Sequence, residues 1–337
     1  MTPIAYVTAE WPQAAVSSLA DLGYQARTGG WGQTGQVLTA DRLAAEAAGA
    51  SVLVVEVERV DAGLLAALPD LRVVCTARGT PTNVDVAACT DRNLPVLSAP
   101  GRNADSVADF VIGVLICGLR RIPAAERHLR DVGWLVGDDL PYLHFRGPEL
   151  AGRTLGLIGY GAIGRRVAAR ARDGFGMRVI HHDPFRLAEP DGTGVTLPTL
   201  LATADVVSLH CTRSPETANL IDAAALALMK PGSYLINTAG GGMVDEAALL
   251  AAVESGALAG AALDVFGTEP LPPDSPLLRC DRLLLTPHLA GAATDVAAHH
   301  AELICADLAR LAQGRRPVHC VNVDELWSTG SRPGPRD

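Results

Sequence analysis

Two groups of residues in this chain could do chemistry by virtue of their type and spacing. The first lies in Thr154-Leu-Gly-Leu-Ile-Gly159-Tyr-Gly161-Ala162-Ile163-Gly164-Arg-Arg-Val, where Gly-x-Gly-x-x-Gly follows an apolar run and opens an amphipathic one. Glycines at this spacing in a strand–turn–helix can hold a pyrophosphate. The first permits the tight turn, the second lets the backbone approach the phosphates, and the third lets helix and strand pack closely. Asp183 follows Gly164 by 19 residues and closes the run Val179-Ile-His-His-Asp183-Pro184. A carboxylate there accepts hydrogen bonds from a ribose diol and repels a 2′-phosphate, which favours NAD over NADP. The competing reading is an ordinary tight turn and a helix-capping aspartate. The second group is Asp264 in Gly260-Ala-Ala-Leu-Asp264, Glu269-Pro270, and His288 in Leu283-Leu-Leu-Thr-Pro-His288. A glutamate can orient an imidazole and stabilise its charge, so that the imidazole passes a proton. Spacing alone leaves that role and a structural or solvated one equally open.

These residues need elements to position them. Short apolar runs predict strands at Ile4–Thr8, Val52–Val57, Arg72–Thr76 and Pro95–Ser98 in the first part of the chain. A second series is expected at Thr154–Ile158, Arg178–His182, Val206–His210, Tyr234–Asn237, Ala261–Val265 and Leu283–Thr286. Helical stretches such as Asp41–Ala48 and Val84–Thr90 separate them, which implies right-handed βαβ units and parallel sheets in two α/β domains. His288 then falls at the C-terminal end of a strand, the edge at which doubly wound sheets bind ligands. A long helix is expected over Ala104–Arg120 and another over Ala292–Gln313.

The 337 residues suit two domains, and 48% apolar with 19% charged residues is a globular composition. A net charge of -9 and the lack of any basic run argue against a nucleic-acid backbone binder. The seven cysteines form no disulfide or zinc-ribbon pattern, so they read as buried thiols in a reducing compartment. No signal peptide is visible at the start. Val107–Leu119, the longest apolar stretch, is broken by Asp109 and too short to span a bilayer; it reads as a buried helix. A soluble cytoplasmic protein is expected. His181 and His182 are expected to flank an adenosine, with too few ligands nearby for a metal. His210 reads as a packed histidine, His299 and His300 as surface residues of the last helix, and Cys211 as a small buried hydrophobe rather than a nucleophile. The pairs Arg120-Arg121 and Arg165-Arg166 read as solvated faces, with Arg165 alternatively reaching the pyrophosphate.

Taken in order, the motifs resemble the D-isomer-specific 2-hydroxyacid dehydrogenases. The resemblance runs from Leu71 to Asn322. It rests on Asn83-Val-Asp85, Ser98-Ala-Pro-Gly-Arg-Asn103, the glycine fingerprint with Asp183, and Leu209-His210 through Glu216-Thr217. It continues through Met229-Lys-Pro-Gly-Ser-Tyr-Leu-Ile-Asn237-Thr, Val244-Asp245-Glu246, Ala262-Leu-Asp264-Val-Phe with Glu269-Pro270, and Thr286-Pro287-His288-Leu-Ala-Gly291. The resemblance implies an α/β fold of two Rossmann-like, flavodoxin-like domains with parallel sheets and the active site in the cleft between them. It implies a substrate domain of residues 1–103 plus 292–327, an NAD-binding domain of residues 104–291, and a disordered tail at 328–337. It implies a small anionic 2-hydroxy or 2-oxo acid, or a phosphonate-type substrate, with His288 as proton donor and Glu269 holding its ring. Along an NAD groove it places Gly159, Gly161, Ala162, Ile163, Gly164, Asp183, Pro184, Cys211, Thr212, Thr217, Thr238, Ala239, Gly240, Asp264, His288 and Gly291. A homodimer is implied, its interface near Val107–Leu119 and Gly133-Trp134.

The sequence departs from that pattern at one place. The family's substrate-binding arginine belongs in Asn-Thr-x-Arg-Gly, and here the segment reads Asn237-Thr238-Ala239-Gly240-Gly241-Gly242. Three consecutive glycines are also expected to loosen the loop. Three explanations stay open. Another cation serves, with Arg78 beside Gly79, Thr80 and Asn103 ahead of Arg102. Or the substrate is a bulkier, phosphonate-bearing or uncharged carbonyl compound. Or the protein is a redox-silent NAD(H)-binding regulator, a class that sits beside an enzyme using tightly held NAD for a non-redox net reaction.

Overall fold

The computed structural model describes residues 2–186 and 193–328. The chain divides into two compact units, Met1–Asn103 with Thr294–Asp337, and Ala104–Ala293. The expectation of a disordered tail falls, from residue 329 on, outside the described residues.

In the first unit, strands β1 (Ile4–Val7), β2 (Gln25–Thr28), β3 (Ala50–Val55), β4 (Val73–Thr76) and β5 (Val96–Leu97) form one parallel sheet in the order β2-β1-β3-β4-β5. Ala5 and Val7 face one side and Tyr6 the other, each into its own apolar cluster. Near-continuous apolar strands are what a sheet covered on both faces requires. The helix Val296–Ala312 returns late in the chain to cover one face, burying Ala301, Ile304 and Leu308 against Ala5, Val7 and Val54. Asn322 then ties the end of the unit to its middle. Its side chain accepts from Val96 N at 2.9 Å and donates to Leu94 O and Thr90 Oγ1, both at 2.9 Å.

The second unit holds β6 (Thr154–Ile158), β7 (Arg178–His182), β8 (Val206–Leu209), β9 (Tyr234–Asn237), β10 (Gly260–Leu263) and β11 (Leu283–Leu285), all parallel, in the order β11-β10-β9-β8-β6-β7. Leu155 and Leu157 pack on one side with Val107, Val111 and Leu115 of the helix Ala104–Leu119. Ile158 packs on the other with Leu200, Val207 and Leu209. The order places β6 and β8 side by side, so the chain reverses direction across the sheet at the turn that follows β6.

The expected strands form with ends displaced by at most one or two residues. Strand β2 is a correction. Gln25–Thr28 is a half-exposed edge strand with no apolar run to announce it. The helix expected from Ala292 begins at Val296, after turns at Gly291 and at Thr294–Asp295.

Candidate active site

His288 follows β11 at a left-handed φ of +57°, a region a non-glycine residue enters only when its surroundings hold it there. Asp264, 2% exposed at the end of β10, supplies the hold. Its backbone carbonyl accepts from His288 N at 2.8 Å. Its carboxylate accepts from Thr286 Oγ1 and Leu289 N, both at 2.7 Å, and from Ala290 N at 2.8 Å. Hydrogen bonds to an ionised carboxylate are the strong class, so this turn is pinned on both sides of the histidine.

Glu269 completes the pair. Its Oε2 lies 2.9 Å from His288 Nδ1, while its Oε1 accepts from Phe266 N at 2.9 Å. Burial by itself would raise the Glu269 carboxyl. The hydrogen bonds from His288 and Phe266 N, with the charges of His288 and Arg213, bring it below the ordinary carboxylate value. With Nδ1 engaged, Nε2 is the nitrogen left to exchange a proton. Beside the pair is a cavity of ≈ 660 Å³, walled largely by Phe266, Pro270, Leu271, Leu278 and Leu285.

The glycine turn forms a cradle. Gly159 has φ +94°, and a Cβ on it would stand 2.5 Å from Cys211 N. A Cβ on Gly164 would stand 2.3 Å from Gly159 O, so only glycine lets helix Ala162–Ala169 approach β6 this closely. Gly161, which precedes that helix, has nothing within 4 Å of its Cβ position. The helix therefore starts beneath open space, with its first N–H groups turned toward it. At the end of β7, Asp183 Oδ2 accepts from Tyr160 N at 2.9 Å and Oδ1 from Phe185 N at 3.0 Å, which fixes the carboxylate beside the turn. Next to β9, Thr238 Oγ1 is buried with no hydrogen-bond partner among the described residues. An open cradle, a placed carboxylate and an orphaned hydroxyl fit a dinucleotide.

The loop after β9 is not loose, contrary to the expectation from its glycines. Asn237 Oδ1 accepts from Ala239 N at 3.1 Å and Gly240 N at 3.4 Å, and its Nδ2 donates to Gly240 O at 3.1 Å. A Cβ on Gly241 would be 1.7 Å from Phe266 O, and Gly242 has φ +76°. Those two glycines are demanded by the backbone. In the turn after β8, Thr217 Oγ1 donates to Thr212 O at 2.9 Å and closes a capping box with Ser214. Burial pushes the Cys211 thiol up to about 11, so it stays protonated at neutral pH.

In the first unit, Arg78 follows β4 and is already engaged. Its Nε donates to Glu56 O at 2.6 Å and its Nη1 to Thr82 Oγ1 at 3.1 Å. Arg102 pairs with the Glu56 carboxylate at 2.6 Å. Glu56 thus organises both arginines, and no motif signalled it. His300 is a correction. It is 1% exposed, stacks on Trp11 and contacts Glu10 O at 2.7 Å, because its helix turns that face to the sheet. Burial lowers its pKa to about 4 and keeps it neutral. Arg166 is likewise paired, with Asp105 at 2.9 Å, and Arg165 donates to Tyr160 O at 3.0 Å. His181 is fully buried between Thr193 Oγ1 and Arg186 O, each at 2.9 Å. Among the described residues no group of three or more His, Cys, Asp or Glu is gathered to hold a metal.

Residues 112–290 match the family described as D-isomer specific 2-hydroxyacid dehydrogenase, NAD binding domain. The chain is 42% identical over 286 residues to the D-3-phosphoglycerate dehydrogenase of Mycobacterium tuberculosis, covering 83% of this chain and 52% of that one. It therefore spans about half the length of that relative. It is 37% identical over 276 residues to the glyoxylate reductase of Thermofilum pendens, covering 80% of each. The crystal structure of TT0316 protein from Thermus thermophilus superposes with a TM-score of 0.81 at 34% identity, covering 94% of this chain and 99% of that one. The glycine cradle, the two parallel sheets and these matches together make the chain a member of the D-isomer specific 2-hydroxyacid dehydrogenase family, carrying its NAD-binding domain.

Proposed function

We propose that this chain is an NAD-dependent oxidoreductase that interconverts a small anionic 2-hydroxy acid and its 2-oxo acid. The observation that carries the reading is the His288–Glu269 pair at 2.9 Å, held at the C-terminal edge of the sheet that also carries the glycine cradle. When bound, NAD(H) supplies the hydride or takes it up. His288 Nε2 protonates the carbonyl oxygen in reduction and takes the hydroxyl proton in oxidation. Glu269 fixes the ring and stabilises its positive form, and Asp264 positions the turn that presents it. The backbone at Gly159, Gly161, Ala162, Ile163 and Gly164 takes the pyrophosphate. Asp183 takes the ribose and selects NAD over NADP. Pro184, Cys211, Thr212, Thr217, Thr238, Ala239 and Gly291 line the rest of the groove. Glyoxylate, named for one relative, is the first substrate to try.

The test follows NADH absorbance with the purified chain and a panel of 2-oxo acids. His288→Ala is expected to lower kcat by about 1000-fold while NADH affinity is unchanged. Unchanged turnover removes His288 from the mechanism.

We further propose that two copies pair. Leu129, Val132, Trp134, Leu140, Tyr142 and Leu143 fall in one stretch of chain and are each more than half exposed, from 53% at Leu129 to 76% at Leu143. So many large apolar groups in sequence are more than a monomer ordinarily leaves to water. The helix Ala104–Leu119, by contrast, spends its apolar face within its own unit. Among the described residues no helix is long and apolar enough to cross a membrane. The seven thiols are unbridged, which fits the cytoplasm.

A further inference from the structure

Of the three glycines after Ala239, Gly240 alone is not demanded by backbone geometry. A Cβ built there meets Arg213 Cβ at 3.3 Å, Met243 Sδ at 3.3 Å and Arg213 Cδ at 3.7 Å. The aliphatic stem of Arg213 therefore runs alongside the point from which a side chain at 240 would grow. Arg213 is exposed in the turn between β8 and the capping box of Ser214 and Thr217, a rigid base for a long side chain. Its guanidinium makes no hydrogen bond or ion pair among the described residues. The contrast within the same unit is clear, since Arg166 and Arg170 pair with Asp105 and Arg165 donates to Tyr160 O. Its charge nevertheless reaches Glu269 and helps hold that carboxyl down.

A guanidinium without a partner beside a proton-transferring pair is open to an incoming anion. A planar fork suits the two oxygens of a carboxylate. We propose that Arg213, laid across Gly240, is the cation that receives the substrate carboxylate and turns the adjacent carbonyl toward His288. This deepens the reading given above and rests on it for the role of His288. It also gives Gly240 a function, since any larger residue there would displace the arginine stem.

The test uses the native chain, Arg213→Leu and Arg213→Lys, assayed with NADH against glyoxylate and the uncharged aldehyde propanal. Oxalate binding to the NADH complex is measured by calorimetry, independently of turnover. Arg213→Leu is expected to raise KM for glyoxylate by about tenfold or more and to lower kcat/KM by about 100-fold. NADH affinity stays within about twofold, propanal turnover falls by a smaller factor than glyoxylate turnover, and Arg213→Lys recovers part of the loss. Oxalate affinity falls in parallel with glyoxylate kcat/KM. Unchanged glyoxylate KM and oxalate affinity in Arg213→Leu overturn the proposal, and so does a native chain that binds no oxalate. If the native chain binds oxalate through Arg213 yet turns over neither carbonyl compound, the anion site stands and the hydride-transfer reading falls.

Discussion

Glu269 reaches His288 with one oxygen and the Phe266 amide with the other, so it both fixes the ring and anchors itself. Replacing it with glutamine keeps the shape and removes the charge. Glu269→Gln should therefore cut kcat/KM at neutral pH by about 10- to 100-fold. Steady-state kinetics of the two proteins check this; an unchanged kcat/KM would mean that Glu269 acts through position alone. At this scale the sequence was partly legible. Type and spacing left the Glu269–His288 pair open between proton transfer and a structural role, and only the family resemblance assigned its roles. Glu56 and Arg213 were not legible. Their importance comes from what stands near them in space, a backbone carbonyl serving Arg78 in one case and a missing side chain at 240 in the other.

The strand–turn–helix at β6 separates two jobs that a sequence motif merges. Gly164 serves packing, since its Cβ would sit 2.3 Å from a backbone oxygen, whereas Gly161 faces open space. Gly164→Ala should destabilise the protein by roughly 1–3 kcal/mol through overpacking. Gly161→Ala should leave stability within about 0.5 kcal/mol yet weaken NADH binding by about tenfold. Denaturant unfolding and a fluorescence titration of each variant distinguish the two. Equal stability losses would refute the division of labour. Most elements were legible because parallel strands buried on both faces are apolar runs bounded by helices. Strand β2 was hidden because an edge strand with one neighbour can be polar. His300 was misplaced because a His–His pair gives no hint of which ring the helix turns inward.

At the scale of the whole chain, the exposed run from Leu129 to Leu143 is the feature on which the proposed pairing rests. Trp134→Asp with Tyr142→Asp should convert a dimer to monomers without altering the far-ultraviolet circular dichroism, because both side chains are exposed. Light scattering on a sizing column reads the mass. A native chain already monomeric at micromolar concentration would reject the pairing. The sequence placed the interface near a buried helix as well as Gly133-Trp134. Hydrophobicity alone does not separate a helix that fills its own core from a segment that leaves its apolar groups in water.

The first unit is closed by residues that follow the whole of the second. The helix Val296–Ala312 covers one face of a sheet whose strands end at Leu97, and Asn322 satisfies Val96 N and Leu94 O. On a translating ribosome, the five strands emerge with one apolar face covered only in part, by Trp11 and Leu19, and must wait for nearly two hundred further residues, Ala104–Ala293, before the helix that completes the cover is made. The second unit, continuous in the chain, can complete itself during that interval. The order of synthesis therefore makes the later-encoded sheet the earlier to finish. It leaves the N-terminal sheet as the part of the nascent chain that a holding chaperone would meet.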